Sequence, residues 1–509
     1  MSASHVHEWL KQDVTARQKK VREYYASDSS ALFDEFLSLV RAPEGYGIYA
    51  SIGPNYQYAI FGRDSATVAQ DLIAIKPALS KEIIMLLAHL QGIEFNMQSE
   101  EEVGKIHHEY RSVHFNNHNV SKAAKLVLER LGPLWGGSQD ELLYYGAYDA
   151  TPLFIRLVSA YCQRHGDDIL HESVRQRDGR QRTIRDCLRE ATGWLVSKIT
   201  ASPWQLYEFK HLNPAGLVYQ AWQDSSIAYL HEDGRTANAD DGIAAIELQG
   251  YAHDALYAAA ELVANDEHEA DAWRHLSSIV RDNMLERLWV PKNKYFAMGA
   301  DRADDGGTRQ IATLTANPGL LLESNVFDRM PHQASWPYIE GIVRMLFSEE
   351  LLTPVGLRLR GHKHARLVPF ADYHGSLVSW PHHTAAIARG LRKHGFYTLA
   401  TILENCVLQS VAQAGEFYEF FFVDRQGRVK YHYRNEKPDE PTFHDFGAAN
   451  LPEPGQAWTL SSVLHIIATR HNPSPILPVS DRVGALETQL LSLKHVVQIA
   501  QAGGLDLKP

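Results

Sequence analysis

The sequence predicts an all-α protein: one large helical assembly with long inserted loops. Three observations lead there. About a dozen segments repeat apolar residues three and four apart, sustained period-2 alternation is scarce, and no Ser/Gly-rich or Pro-rich linker divides the chain before about residue 470. Length alone, at about 150 residues per domain, suggests about three domains for 509 residues. The missing linkers favour a single body over residues 1–475, followed by an appended C-terminal helix and tail over 476–509.

In chain order, helical periodicity runs over Ser30 to Leu39, Ile83 to Ile93, Ala123 to Leu131, Leu153 to Cys162 and Ile184 to Ile199. It continues over Ile243 to Val263, Ala270 to Leu288, Tyr338 to Phe347, Thr384 to Leu391, Leu399 to Val411 and Trp458 to Ala468. Arg164-His165-Gly166 and Lys393-His394-Gly395 read as helix stops, a basic last turn followed by glycine. Phe420 to Val423 and Arg428 to Tyr433 flank Asp424-Arg425-Gln426-Gly427 and read as a hairpin. A last helix, Arg482 to Ala502, follows Pro473, Pro475 and Pro478. Inserts at about 205–240, 290–317, 350–380 and 420–455 carry many aromatic and polar residues, and loops of that length in a compact protein usually serve function.

Composition narrows the function. Acidic residues number 61 against 50 basic ones, a net charge of −11, which argues against a general nucleic-acid binder. No apolar run of about 18 residues exists to span a membrane, and the polar start has no signal core. Cys162, Cys187 and Cys406 are far apart, odd in number and without metal spacing, so reduced thiols in the cytoplasm are expected. The 26 histidines invite a metal reading. Yet His107, His108, His114 and His118, like His362, His364, His382 and His383, lack HExxH or paired Cys–His spacing, so no metal or other cofactor is expected.

Several segments carry residue types suited to sugar chemistry. Asp224, in Trp222-Gln223-Asp224-Ser225, is a carboxyl beside an indole: apolar surroundings hold its proton, and the ring offers a face to a sugar. The alternative is a side chain that caps the next turn. Glu416 and Glu419, in Gly415-Glu416-Phe417-Tyr418-Glu419-Phe420, are candidates for a water-activating base or are surface acids. Arg63 and Asp64 form a donor–acceptor fork for adjacent hydroxyls, or an ion pair with Asp64 capping the helix that follows. Tyr373-His374-Gly375-Ser376 leads into Trp380-Pro381, where Pro381 can open a helix. The basic run Arg358 to Arg366 reads as a solvated loop or as a local anion contact.

Taken together, these motifs resemble the amylo-α-1,6-glucosidase (glycogen-debranching C-terminal) family, with its relatives among the processing α-glucosidases and mannosyl- or glucosylglycerate hydrolases. The matching segments keep the family's order: Phe61 to Ser65, Gly104 to Arg111, Tyr144 to Phe154, Trp222 to Ser225, Glu247 to Tyr251, Asn317 to Gly319, Tyr373 to Ser376 with Trp380-Pro381, and Gln456 to Trp458. The resemblance implies an (α/α)6 barrel of the six-hairpin glycosidase type, with its active site at one mouth between long loops. It implies inverting hydrolysis with Asp224 as general acid and Glu419 as general base, Glu416 being the competing base. It further implies that Arg63, Asp64, Trp222, His374, Trp380 and Trp458 hold the terminal sugar, with Tyr145, Asp149, His108, Glu109 and Arg111 in support.

The expected activity is removal of a terminal α-linked glucosyl or mannosyl residue from a small glycoside or oligosaccharide. The chain is too short for the sugar-transfer domain of complete debranching enzymes, and no β-sandwich is readable before residue 45. The expected partner is a small carbohydrate, with no nucleic acid or membrane; a homo-oligomer is compatible with the sequence. Two alternatives stay open: a sugar epimerase or isomerase on the same barrel using histidines as acid and base, and a non-catalytic carbohydrate-binding homologue.

Overall fold

A computed structural model describes residues 3–505, except 116–119, 369, 434–436, 438, 448–449, 474–475 and 477. His118 and Pro475 therefore lie outside the described residues. The periodic segments fold as helices, most extending a few residues past their apolar stripe. Leu153 to Cys162 becomes Ala150–His165, closed by Gly166 at φ 87°, and Thr384 to Leu391 becomes Pro381–Lys393, with Pro381 in the first turn.

Six segments form an inner layer: Gly62–Leu72, Ala150–His165, Ile246–Leu262, the short 3-10 turn Asn317–Leu322, Pro381–Lys393 and Ala457–His471. Each packs on the next, and the last packs on the first, so the layer closes on itself. Each is backed by an outer helix. In the same order these are Pro77–His89, Ile184–Ala201, Glu267–Leu288, His332–Leu346, Tyr397–Ala414 and Ser30–Val40. Sequence separates the layers. Glu267–Leu288 buries one stripe, Ala270, Leu276, Val280, Met284 and Leu288, as a helix with one wet face must. Ile246–Leu262 buries residues around its whole circumference, Glu247, Gln249, His253 and Asp254 among them. The fourth inner position is a 3-10 turn because Pro318 opens it and Gly319 lies under Ile387, where a Cβ would come within 2.7 Å of Cδ1.

The chain is helix-rich without being purely helical. Six small antiparallel sheets occur among the described residues. The expected hairpin pairs Phe421–Val423 with Val429–Lys430, and Val378–Ser379 joins its other edge. A second sheet, Ala59–Phe61, Glu109–Ser112 and Glu141–Tyr144, aligns Phe61 opposite Glu109 and Glu109 opposite Tyr144. It delivers the chain into Gly62–Leu72. That helix starts at Gly62, not after Asp64: Asp64 sits in its first turn and does not cap it.

The polar N-terminus forms two further helices, Ala3–Lys11 and Val14–Ser27, the second packed on Ser30–Val40 and Tyr397–Ala414. The expected last helix is two, Asp481–Leu491 and Lys494–Ala502, both seated on the outside of Tyr397–Ala414. Glu487 accepts the N–H groups of Thr398 at 2.9 Å and Leu399 at 3.1 Å, so a residue from the C-terminal helices caps a helix that has no side-chain cap of its own. No helix among the described residues is long and apolar enough to cross a membrane, and the three cysteines are buried and unpaired. Because an absent cap costs about 0.5–2 kcal/mol, Glu487→Ala is expected to lower stability by that amount. Hydrogen exchange should localise the loss to Thr398, Leu399 and the two C-terminal helices.

Candidate active site

Three of the long inserts, those at about 205–240, 350–380 and 420–455, contribute to the walls of a cavity of about 420 Å³. Its walls include Arg63, Asp64, Trp222, Asp224, His374, Trp380, Glu419 and Trp458, together with Asn55, Tyr56, His108, Glu109, Arg111, Tyr373 and Glu453. Arg63 and Asp64 come from the first turn of Gly62–Leu72. Gly62 lets that turn approach the neighbouring strand, since a Cβ there would lie 2.1 Å from the His107 carbonyl oxygen.

Arg63 organises one wall. Its Nε donates to Asp149 at 2.6 Å, its Nη2 to the Ala221 carbonyl at 3.1 Å, and its Nη1 to Asp224 at 3.3 Å. Burial raises the Asp224 carboxyl to about 6; Arg63 opposes the rise and Asp149 reinforces it. Asp64 rises to about 7, chiefly through burial, with Asp224 and Asp149 adding to the effect. Asp224 is therefore a proton-holding acid open to the cavity, and its side chain is 23% exposed.

On another wall, Tyr373 donates its hydroxyl to Glu419 Oε1, and the Glu453 N–H donates to Oε2 at 3.3 Å. Tyr56 Oη lies 3.1 Å from Tyr373 Oη and continues the chain of hydroxyls. Burial, with the neighbouring Glu453, raises Glu419 well above the usual carboxylate range, while the Tyr373 hydrogen bond pulls it back. Glu453 in turn accepts from Ser51 Oγ at 3.0 Å and Asn55 Nδ2 at 2.8 Å.

The floor is aromatic. Trp380 stacks on His374, with centroids 5.3 Å apart, and on Phe420 at 5.3 Å; Trp222 stands edge-on to His374 and Trp380. Trp458 stacks on His382 at 3.9 Å, and Trp222 on His383 at 4.9 Å. His374 Nδ1 lies 3.0 Å from Ser225 Oγ and accepts the Ser225 N–H at 3.4 Å. Burial pushes His374 and His108 well below the usual imidazole value, so both rings are neutral. No group of three His, Cys, Asp or Glu side chains among the described residues is arranged to hold a metal ion.

Other sequence expectations change. Tyr145 does not reach the cavity: it is buried, and its hydroxyl donates to the Leu90 carbonyl at 2.8 Å. Asp149 lies behind Arg63, which separates it from Asp224. Glu416 turns the opposite way from Glu419, into the N-terminal helices, where it pairs with Arg17 and accepts from Trp9 Nε1 and the Gly455 N–H, each at 3.2 Å. The start of the basic run is not a solvated loop, and the anion it contacts is a carboxylate of the chain itself. Arg358 donates to the carbonyls of Ser376, Val423 and Asp424. Arg360 pairs with Asp372 at 2.9 Å and holds the Ile227 and Ala228 carbonyls. The pair grips the loop bearing Tyr373 and His374, where Gly375 is obligatory because a Cβ would fall 1.4 Å from Asp372 Oδ1. Glu247 and Asn317 also act from beneath: Gln223 donates to Asn317, and Asn317 to Glu247, which ties the Trp222–Asp224 segment to the inner layer.

No protein-family model and no curated protein matches the chain. Solved structures do. A GH63 mannosylglycerate hydrolase from Thermus thermophilus, in complex with glucose, superposes with a TM-score of 0.55 at 16% identity, over 86% of this chain and 99% of that one. An uncharacterized conserved protein from the same organism gives 0.53 at 15%, over 85% and 98%. A glycosidase variant gives 0.50 at 11%, over 93% and 100%. The chain shares the fold of these proteins over nearly their whole length.

The two glutamates should separate in a stability measurement. Glu416→Gln leaves Arg17 buried without its anion, and breaking such a pair costs about 3–5 kcal/mol. Glu419 has a proton affinity raised by folding, so it costs stability as pH rises from the ordinary carboxylate range through its native value, and the loss is complete above that. Glu419→Gln is expected to preserve or raise the unfolding midpoint at pH 8, where Glu416→Gln lowers it.

Proposed function

We propose that this chain is a metal-independent, inverting glycoside hydrolase on an (α/α)6 barrel, and that it removes a terminal α-linked glucosyl or mannosyl residue from a small glycoside. The observation that carries this reading is the pair of carboxyls from distant loops, Asp224 and Glu419, on one aromatic-floored cavity. Arg63, Asp64, Trp222, His374, Trp380 and Trp458 hold the sugar: the fork of Arg63 and Asp64 suits adjacent hydroxyls, and the indole rings suit its apolar face. Asp224 protonates the glycosidic oxygen and Glu419 takes a proton from water on the opposite face, a geometry that needs carboxyls about 6.5–9.5 Å apart.

The environments fit these tasks. Asp224 keeps its proton to about pH 6, the condition for an acid. Burial raises Glu419 well above the usual carboxylate range, and donors from Tyr373 and the Glu453 backbone oppose that rise, the direction a base needs. A histidine-based isomerase draws less support, because His374 and His108 are neutral and His382 is stacked against Trp458. The fold neighbours add weight, one of them being a mannosylglycerate hydrolase holding glucose.

Asp224→Asn and Glu419→Gln are each expected to abolish turnover of α-glucosides and α-mannosides while leaving circular dichroism unchanged. Proton NMR of the fresh product should show the β-anomer; an α-anomer would refute inversion. In Tyr373→Phe the Glu419 anion loses a donor, so its proton affinity rises and the acidic limb of the pH–rate profile moves to higher pH. The alkaline limb, governed by Asp224, should stay in place.

A further inference from the structure

The cavity changes character along its length. Its inner end consists of buried polar and aromatic groups: Arg63, Asp64, Trp222, His374 and Trp380 are all less than one-tenth exposed. Its outer end is walled by Val127 and Leu131 of the helix Lys122–Leu131, by Trp135 and Leu217, and by Leu451, which is 53% exposed. Leu126, Leu134 and Val218, next in sequence to Val127, Trp135 and Leu217, are each more than two-fifths exposed. Large aliphatic side chains left open to water beside a cavity mark a binding surface.

Several polar groups of the lining are committed elsewhere. Trp135 Nε1 donates to the Ala215 carbonyl at 3.0 Å, Asn55 Nδ2 to Glu453, and Arg111 to Glu109 and the Asn55 carbonyl, which leaves only its Nη1 without a partner. A second sugar or a hydroxylated acid seated against Leu131, Leu217 and Leu451 would lose hydrogen bonds to water and find few in return, and an unpaired buried hydroxyl is costly. A hydrocarbon group gains from the same contact. Besides Arg63, the cations of the lining are Arg130, which is exposed, and Arg111, which is paired with Glu109.

We propose that the leaving-group side of this site takes an apolar aglycone, an alkyl or aryl group attached to the terminal sugar. The inference rests on the hydrolase reading, which fixes the sugar at the closed end and the leaving group at the open one.

The test compares methyl, octyl and glyceryl-carboxylate α-glucosides and α-mannosides on the full chain, by initial rates and by calorimetric binding to Asp224→Asn. The expected result is at least a tenfold advantage of octyl over methyl in kcat/KM and in affinity. That ratio should fall toward one in Leu131→Asn/Leu451→Asn, and Arg130→Gln should leave it intact. Equal handling of octyl and methyl glycosides, or a preference for the carboxylate over the octyl glycoside, overturns the proposal. If no glycoside turns over, the hydrolase reading fails; the binding ratio still decides whether the outer wall selects apolar groups.

Discussion

A single guanidinium sets the electrostatics of the cavity. Arg63 faces Asp149, Asp224 and the adjacent Asp64, three carboxyls for one cation, of which Asp149 and Asp64 are buried and Asp224 is partly open to the cavity. Full ionisation would leave excess negative charge in a region from which water is largely excluded, so part of the set retains protons. Asp149 forms the shortest contact to Arg63 and sits deepest, and it fixes the orientation of the guanidinium. Asp224, farther from the cation and facing the cavity, can hold a proton near neutral pH and exchange it with a bound molecule. An acid is made here by competition for one positive charge as well as by burial.

The loops around that centre are held by ties to distant parts of the chain. Arg358 and Arg360 grip the loop bearing Tyr373 and His374 through carbonyls and Asp372. Gln223, Asn317 and Glu247 anchor the segment bearing Asp224 to two inner elements. Arg17 and Trp9 seize Glu416, so the turn after Tyr397–Ala414 sends one acid into the N-terminal helices and the next, three residues later, into the cavity. Most charged residues in the recognised motifs thus position a neighbour. The arrangement puts backbone rigidity where loops alone would supply little.

Most outer helices were legible because they bury one stripe and wet the rest, which writes helical period into the sequence; Tyr397–Ala414, covered by the N- and C-terminal helices, is buried around most of its circumference. Val14–Ser27 was not legible: only Arg17, Val21 and Tyr24 are buried on it, and its other positions are largely polar. Most of the small strands escaped because they are two to four residues long and some, such as Ala59–Phe61, are buried on both faces, which erases alternation; Phe421–Val423 was legible from the turn residues that follow it. Asp224, Glu419, Arg63 and the three tryptophans were found as motifs, and they meet at one cavity. Tyr145 and Asp149 share a motif with them but serve the core and Arg63. Glu453 and Tyr56 were missed, since each stands in a nonperiodic loop and gains meaning only from partners far away in sequence. The same distance misled the reading of Arg358 and Arg360: a local run of charge says nothing of carbonyls brought to it by folding.

The difference between the two cavity acids follows from what can donate to each. Glu419 is met by a tyrosine hydroxyl and a backbone N–H, groups that favour its anion without carrying a full charge. Asp224 is met by a guanidinium already shared with a closer carboxylate. Burial raises both acids, yet their partners respond differently to a change in charge at the centre. Positive charge developing on a bound sugar would add a second cation beside Asp224 and Glu419 alike. It would favour release of Asp224's proton to a leaving oxygen while stabilising the Glu419 anion held by fixed dipoles. Burial raises the proton affinity of both acids, and the tyrosine–backbone cradle and the divided guanidinium offset that rise in two different ways.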